Sequence, residues 1–268
     1  MIDPQRVAEI IEEVAEQEVL PRFQTLADHE IIEKRAGDLV TVADLETEKA
    51  LTRRLADLLP GSRVVGEEAV EADRSVLDLF EEDSPVWIID PVDGTSNFAH
   101  GNPTFAVMVG LSQGADLLAG WIYDPCGGRM AIAEAGSGAY LKDGTCLQVA
   151  KGSDPGEMRG PILAGLPNFP ELGARIRERR NRVDAVRSLR CAGQEYLRLA
   201  LGENHFALFT KTKPWDHVPG VVIHREAGGF GRLLDGEPYT PLDSAAPGIL
   251  LAPDEASWVR LRETLVDP

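Results

Sequence analysis

At 268 residues the chain is one large domain or two small ones, and 43% hydrophobic content is enough for a sizeable core. With 44 acidic against 27 basic residues its net charge is −17. That balance excludes a main partner made of phosphate backbone or anionic lipid. It does not exclude a small phosphorylated substrate, because a bound metal reverses the local sign. No apolar run reaches the roughly 18 residues of a membrane helix, and the acidic amphipathic start MIDPQRVAEIIEEVAEQ is unlike a signal peptide. Three cysteines (Cys126, Cys146, Cys191) without C-x-x-C spacing argue against a disulfide framework or a zinc site, so a cytoplasmic location is expected.

In chain order, Asp3-Pro4 is a helix start, with Val7, Ile10, Ile11, Val14 and Leu20 as its apolar stripe. A second helix is predicted over about 44–59, with Leu45, Leu51, Leu55 and Leu58 inward and Pro60-Gly61 as its stop. Arg63–Val65 is a short strand, a loop or short helix follows, and Val86–Ile89 is a buried strand. Residues 104–111, 117–123, 129–133 and 139–141 predict an antiparallel meander, punctuated by turns such as Asp143-Gly144. The stretch 150–160 is the best linker. Beyond it, strands near 161–165, 183–187, 205–209 and 247–251 alternate with helices near 170–180, 191–202, 215–227 and 254–265. The expectation is an α/β protein of two halves, 1–150 and 151–268, packed as one layered unit.

The densest chemical signal is Trp87-Ile88-Ile89-Asp90-Pro91-Val92-Asp93-Gly94-Thr95-Ser96-Asn97-Phe98. A hydrophobic strand delivers Asp90 at its end, Pro91 keeps the chain extended, and a turn points Asp93 back, so two carboxylates can share a hard divalent cation. Gly94 permits the turn. Thr95 and Ser96 then open a helix whose free N–H groups suit a phosphate. Asp, Pro and Gly also make ordinary surface turns, but the buried strand before them favours the functional reading. Gly66-Glu67-Glu68 puts acids at another strand end, where a solvated face is the bland alternative. Asp44 and Asp216 (in Trp215-Asp216-His217) both sit at helix starts, where an N-cap role is the bland alternative.

Together GEE (66–68), WIIDPVDGTSNF (87–98), WDHVPG…EAGG (215–229) and KRAGDLVTVAD (34–44) resemble the inositol monophosphatase-like family of Mg²⁺-dependent, lithium-sensitive phosphatases, over nearly the whole chain. The resemblance implies a five-layer αβαβα sandwich, usually a homodimer, with its site between the two halves. By matching, Glu67, Asp90, Asp93 and Asp216 would be metal ligands with the Val92 carbonyl, Glu68 their supporting acid, and Glu67 would share in catalysis. Thr95 and Asp44 would orient the attacking water, and Gly94, Thr95 and Ser96 would bind phosphate. Two or three Mg²⁺ ions, or Mn²⁺ in their place, would activate water for direct in-line attack and steady the leaving group.

A rival phosphatase class uses Asp-x-Asp-Gly-Thr with a covalent aspartate. Here the spacing is one residue longer and Pro91 stands where the nucleophile would be. His29, His100, His205, His217 and His224 form no His-x-x-x-His pair and read as structural. Two departures bear on substrate. Inositol-specific members carry an acid where this chain has Phe209, and a small residue where it has Arg190. Arg190, Ala192, Phe209 and Lys211 are therefore the candidate specificity residues. Lys211, Lys213 or Arg190 could meet a second anionic group, although plain solvent exposure is the simpler expectation for the lysines. The expected activity is hydrolysis of a phosphate monoester on a small alcohol or sugar. Alternatives are fructose-1,6-bisphosphatase, histidinol-phosphatase or 3′(2′),5′-bisphosphate nucleotidase activity, or a non-catalytic regulatory protein. The complete acid set argues against the last.

Overall fold

The computed structural model describes residues 2–35, 38–163 and 169–268. Ala36 and Gly37 of the 34–44 motif, and residues 164–168 at the end of one expected strand, lie outside the described residues.

Helix α1 (Pro4–Val14) opens as predicted, with the Asp3 carboxylate accepting the Gln5 N–H at 3.0 Å and Pro4 in the first turn. Its stripe Val7, Ile10, Ile11 and Val14 is buried. A single π-turn over Ala15–Val19 then shifts the phase, so Val19 is buried and Leu20 only half-buried. The hairpin β1 (Ile31–Arg35) and β2 (Asp38–Thr41) was not foreseen, and it feeds helix α2 (Val42–Leu58). Strand β3 (Arg63–Gly66), the short helix α3 (Glu67–Ala72), strand β4 (Pro85–Asp93) and helix α4 (Thr95–Ala99) follow.

The predicted meander is present as β5 (Ala106–Gln113), β6 (Asp116–Asp124), β7 (Arg129–Glu134) and β8 (Ala139–Leu141). With β3 and β4 it forms a six-stranded sheet in the order β3-β4-β5-β6-β7-β8, in which only β3–β4 is parallel.

The rest of the chain supplies β9 (Arg159–Pro161), α5 (Pro170–Arg179), β10 (Asp184–Val186), α6 (Ala192–Ala200), β11 (Ala207–Phe209), α7 (Pro214–Glu226), β12 (Phe230–Leu233), β13 (Ile249–Ala252) and α8 (Glu255–Leu265). A second sheet runs β11-β13-β12, and the parallel pair β9–β10 is tied to it by the Ile162–Leu208 bridge. Strand β12, half-buried at the sheet edge and carrying Gly231, was missed because it shows no clean apolar alternation.

Three buried clusters define the layers. Trp87, Ile89, Val107 and Trp121 pack on α1 and α2 through Ile11, Leu51 and Leu55. Their alternates Ile88, Met108 and Ile122 face the other way, onto α6 and α7 through Tyr196, Val218 and Val222. Phe209, Ile249 and Leu251 close that cluster from the second sheet, whose far face (Leu208, Leu250) meets α5 and α8 through Ile176 and Trp258. Period-two strands between helical layers therefore give the expected αβαβα order. No described helix is long and apolar enough to cross a membrane.

Candidate active site

The site forms where β4 ends. Asp90 and Asp93 are both buried at its C-terminal end, and the pairing with β5 is irregular between them. Gly94 then adopts a left-handed conformation (φ 88°, ψ 34°), as the turn before α4 requires. A Cβ there would approach the Thr104 carbonyl to 3.1 Å and Cys191 to 3.2 Å. The Gly94 carbonyl accepts the N–H groups of Asn97 and Phe98, while helix geometry leaves those of Thr95 and Ser96 without intrahelical acceptors. Asn97 braces the turn, donating to the carbonyls of Thr104 at 2.7 Å and Leu189 at 3.0 Å.

Asp44 is not the N-cap of α2. Thr41 is, and Asp44 closes a capping box at the third helical position, accepting the Thr41 N–H at 2.8 Å and hydroxyl at 2.5 Å. Its other oxygen lies 3.1 Å from Thr95 Oγ1, which is also 3.1 Å from the Val92 carbonyl. Burial pushes the Asp44 carboxyl up to about 7, against the Thr41 hydrogen bonds, with Glu68 and Glu67 adding to the rise.

The inward face of the first turns of α2 is polar. Asp44, Thr47 and Glu48 are buried there, and Leu45, expected inward, is 44% exposed. That part of the face looks into the site rather than the core. Leu51 and Leu55 are inward as predicted, and Leu58 is half-buried.

Glu48 is a residue beside the site that the sequence motifs did not single out. Its two oxygens accept the N–H groups of Glu68 and Ala69, each at 2.8 Å, and so cap the N-terminus of α3. A Cβ at position 66 would fall 2.2 Å from the Glu48 carboxyl carbon, which accounts for glycine at the head of GEE. Burial holds the Glu48 carboxyl up at about 7, opposed by those two hydrogen bonds. The signal available in sequence was Asp44-x-x-x-Glu48, one helical turn apart on one face.

Glu67 and Glu68 are thus held by backbone and then by lysines from opposite ends of the chain. Lys34 Nζ lies 2.7 Å from Glu68 Oε1, and Lys213 Nζ lies 3.3 Å from Glu67 Oε1. Lys213, expected in solvent, is half-buried, its ammonium 5.1 Å from the Trp215 ring centroid. Lys211 is exposed as expected.

Asp93 Oδ2 accepts the Gly193 N–H at 2.6 Å and the Cys191 thiol at 3.0 Å, which fixes α6 against the strand end. Burial, then Asp216, pushes the Asp93 carboxyl up to about 7 despite these bonds. Burial, then Glu67, Asp93 and Asp216, holds Asp90 well above the usual carboxylate range. Asp216 belongs to the first turn of α7, whose N-cap is Lys213, so it too is not a cap.

One cleft of 180 Å³ brings together Glu67, Asp90, Val92, Asp93, Gly94, Thr95, Ser96 and Asp216, with Arg190, Lys211 and Lys213 on its rim. A neighbouring pocket of 470 Å³ is lined by Arg190, Ala192, Phe209 and Lys211 and shares Asp93 and Asp216. Glu68 and Asp44 stand behind the first cleft. Phe209 is buried and stacked on Tyr196 with ring centroids 5.3 Å apart. Arg190 is exposed with a left-handed backbone (φ 59°). Its loop is pinned by the Leu189 N–H to Glu195 at 2.7 Å and its own N–H to Ser188 Oγ at 3.0 Å.

The donor set suits a hard divalent ion. Every donor is oxygen, and Asp90 Oδ1 is buried with no hydrogen-bond partner. Among the described residues, no three acidic, imidazole or thiol side chains are already drawn together as the ligands of one ion. The histidines are structural where they are buried. His217 Nε2 donates to the Lys211 carbonyl at 2.6 Å, leaving Nδ1 to accept the Tyr196 hydroxyl at 2.9 Å.

An αβαβα sandwich that gathers acids at a strand end beside a short helix N-terminus defines a class of phosphate-handling hydrolases. A profile of the inositol monophosphatase family matches residues 3–266. The chain belongs to that family, whose members are phosphoric monoester hydrolases. It is 33% identical to the inositol-1-monophosphatase of Bacillus subtilis over 213 residues, covering 78% of this chain and 77% of the relative. It is 28% identical to the fructose-1,6-bisphosphatase/inositol-1-monophosphatase of Thermotoga maritima, covering 77% and 76%. Among solved structures, the extragenic suppressor protein suhB of Bartonella henselae superposes with a TM-score of 0.78 at 26% identity, covering 97% of this chain and 98% of that one. SaIMPase-II with inositol monophosphate bound superposes with a TM-score of 0.75 at 26% identity, covering 97% and 92%.

Proposed function

We propose that this chain is a Mg²⁺-dependent phosphatase of small phosphorylated alcohols or sugars. The observation that carries this is the cleft itself, where Glu67, Asp90, Asp93 and Asp216 meet the helix start at Gly94–Ser96 and the Thr95–Asp44 contact. Glu67, Asp90, Asp93, Asp216 and the Val92 carbonyl would hold Mg²⁺, or Mn²⁺ in its place. When bound, the ion supplies Lewis acidity toward water and toward the phosphate oxygens.

The protein's own groups do the rest. Asp44 accepts a hydrogen bond from the Thr95 hydroxyl, which leaves Thr95 Oγ1 able to accept one from the attacking water. The N–H groups of Gly94, Thr95 and Ser96 donate to the phosphate oxygens and stabilise charge as it shifts in transfer. Glu67, in the same cleft, would share in orienting the water. No side chain acts as nucleophile.

The neighbouring pocket favours a substrate with a second anionic group over plain inositol phosphate. Phe209 presents a packed ring where a carboxylate would accept sugar hydroxyls, and Arg190 and Lys211 line both pockets. Fructose-1,6-bisphosphate and 3′-phosphoadenosine 5′-phosphate are therefore expected to be turned over with higher kcat/KM than inositol-1-phosphate, histidinol phosphate or glycerol-2-phosphate. Phosphate release across this panel, with Mg²⁺ and with chelator, tests the reading, and Li⁺ inhibition is the family-level check. No turnover of any member, or full activity in Asp93→Asn, overturns the enzymatic reading. Preference for inositol-1-phosphate overturns only the substrate reading.

A further inference from the structure

We propose, on the footing of the metal-dependent reading above, that the Lys213 ammonium is a resident cation of the cleft, standing in for part of the charge that a divalent ion would otherwise supply at Glu67.

Lys213 is the N-cap of α7, three residues before Asp216, and its side chain crosses the face of Trp215 to reach Glu67 Oε1 at 3.3 Å. The buried indole fixes the stem and favours a cation over its face. This is unlike a surface ion pair, because the ammonium lines a cleft that also holds Asp90, Asp93 and Asp216. Glu68 pairs with Lys34, and of the cations lining the cleft, Arg190, Lys211 and Lys213, it is Lys213 that pairs directly with Glu67. A Mg²⁺ ion on Glu67 needs an oxygen at about 2.0–2.1 Å, and an ammonium beside the same oxygen competes with it for space and charge.

The test compares wild type with Lys213→Met, of similar length but uncharged, and Lys213→Arg, which keeps the charge. Mg²⁺ and Mn²⁺ binding to metal-stripped protein is read by titration calorimetry, and melting temperature is read in chelator and in saturating Mg²⁺. Lys213→Met is expected to melt lower than wild type in chelator but not in Mg²⁺. It is also expected to gain at least about tenfold in affinity for the ion at Glu67, or to bind one ion more. Lys213→Arg should track wild type. Equal ion number and affinity in Lys213→Met and wild type overturns the inference alone. So does a change confined to KM for substrate, which would make Lys213 a substrate contact. If none of the proteins binds a divalent ion, the metal-dependent reading falls as well.

Discussion

Asp44, Glu48 and Asp93 around the cleft and His217 and His224 inside α7 are all buried ionisable groups, but burial moves them in opposite directions. The three acids are pushed up to about 7 by burial, with neighbouring acids adding to the rise. The two histidines are pushed down to about 4 by burial. One helix borders both regions, since α7 sends Asp216 to the cleft and packs His217 and His224 inward. The histidine region carries no net charge when its imidazoles are neutral. The cleft gathers several carboxylates whose ionised forms repel one another, the pattern of a candidate binding site rather than of a core.

Asp90→Asn would break this contrast most sharply. Phosphate release should fall by about 10³-fold or more, while the melting temperature in chelator should rise because one source of repulsion is gone. A fall in that melting temperature would mean that Asp90 is a structural acid. Thr95→Ala should cost about 10²-fold in kcat with KM nearly unchanged, since Thr95 acts on a proton rather than on binding. An unchanged kcat would remove the Thr95–Asp44 pair from the mechanism.

Glu48→Gln aims an amide N–H₂ at one of the two N–H groups that Glu48 caps at the start of α3 and should destabilise the protein by about 1–3 kcal/mol in urea titration. Its activity should fall too, because the cap positions Glu67.

Stability against pH separates the two regions directly. A carboxyl whose folded pKa is raised contributes stability below its unfolded value near 4, and that stability is lost as pH rises toward about 7. A histidine whose folded pKa is lowered contributes stability above about 6.5, which is lost as pH falls toward about 4. In chelator the acids outnumber the histidines, so the melting temperature should drop between about pH 4 and 7. In saturating Mg²⁺ that drop should shrink, because the ion removes the contribution of its ligand Asp93 while Asp44 and Glu48 keep theirs. The same slope in both conditions would mean that the cleft does not bind the ion.

The smallest expected effect is Arg190→Gly. Relief of the left-handed backbone should add about 1 kcal/mol of stability. Discrimination between a bisphosphate and a monophosphate should shrink by about tenfold if Arg190 meets a second anion.

What was legible in the sequence is what a short stretch of chain decides by itself. The alternation of β4, the Pro91 restriction, the left-handed turn at Gly94 and the start of α4 lie within a few turns of chain, so the end that presents Asp90, Asp93 and Thr95 could be read directly. The layered α/β class was legible because the long helices and most strands carry their own apolar period, whereas the five-layer αβαβα order followed only from the family resemblance. Three-dimensional packing decided the rest, since the partners are far apart in the chain. Lys213 meets Glu67 across 146 positions and Gly193 meets Asp93 across 100. Leu45 turned outward, and Glu48 inward, because the first turns of α2 face acids and backbone N–H groups instead of the core. An apolar period reports which face meets other apolar groups. It carries no signal for a helix face buried against a polar site, where hydrogen bonds and charge from distant segments set the arrangement.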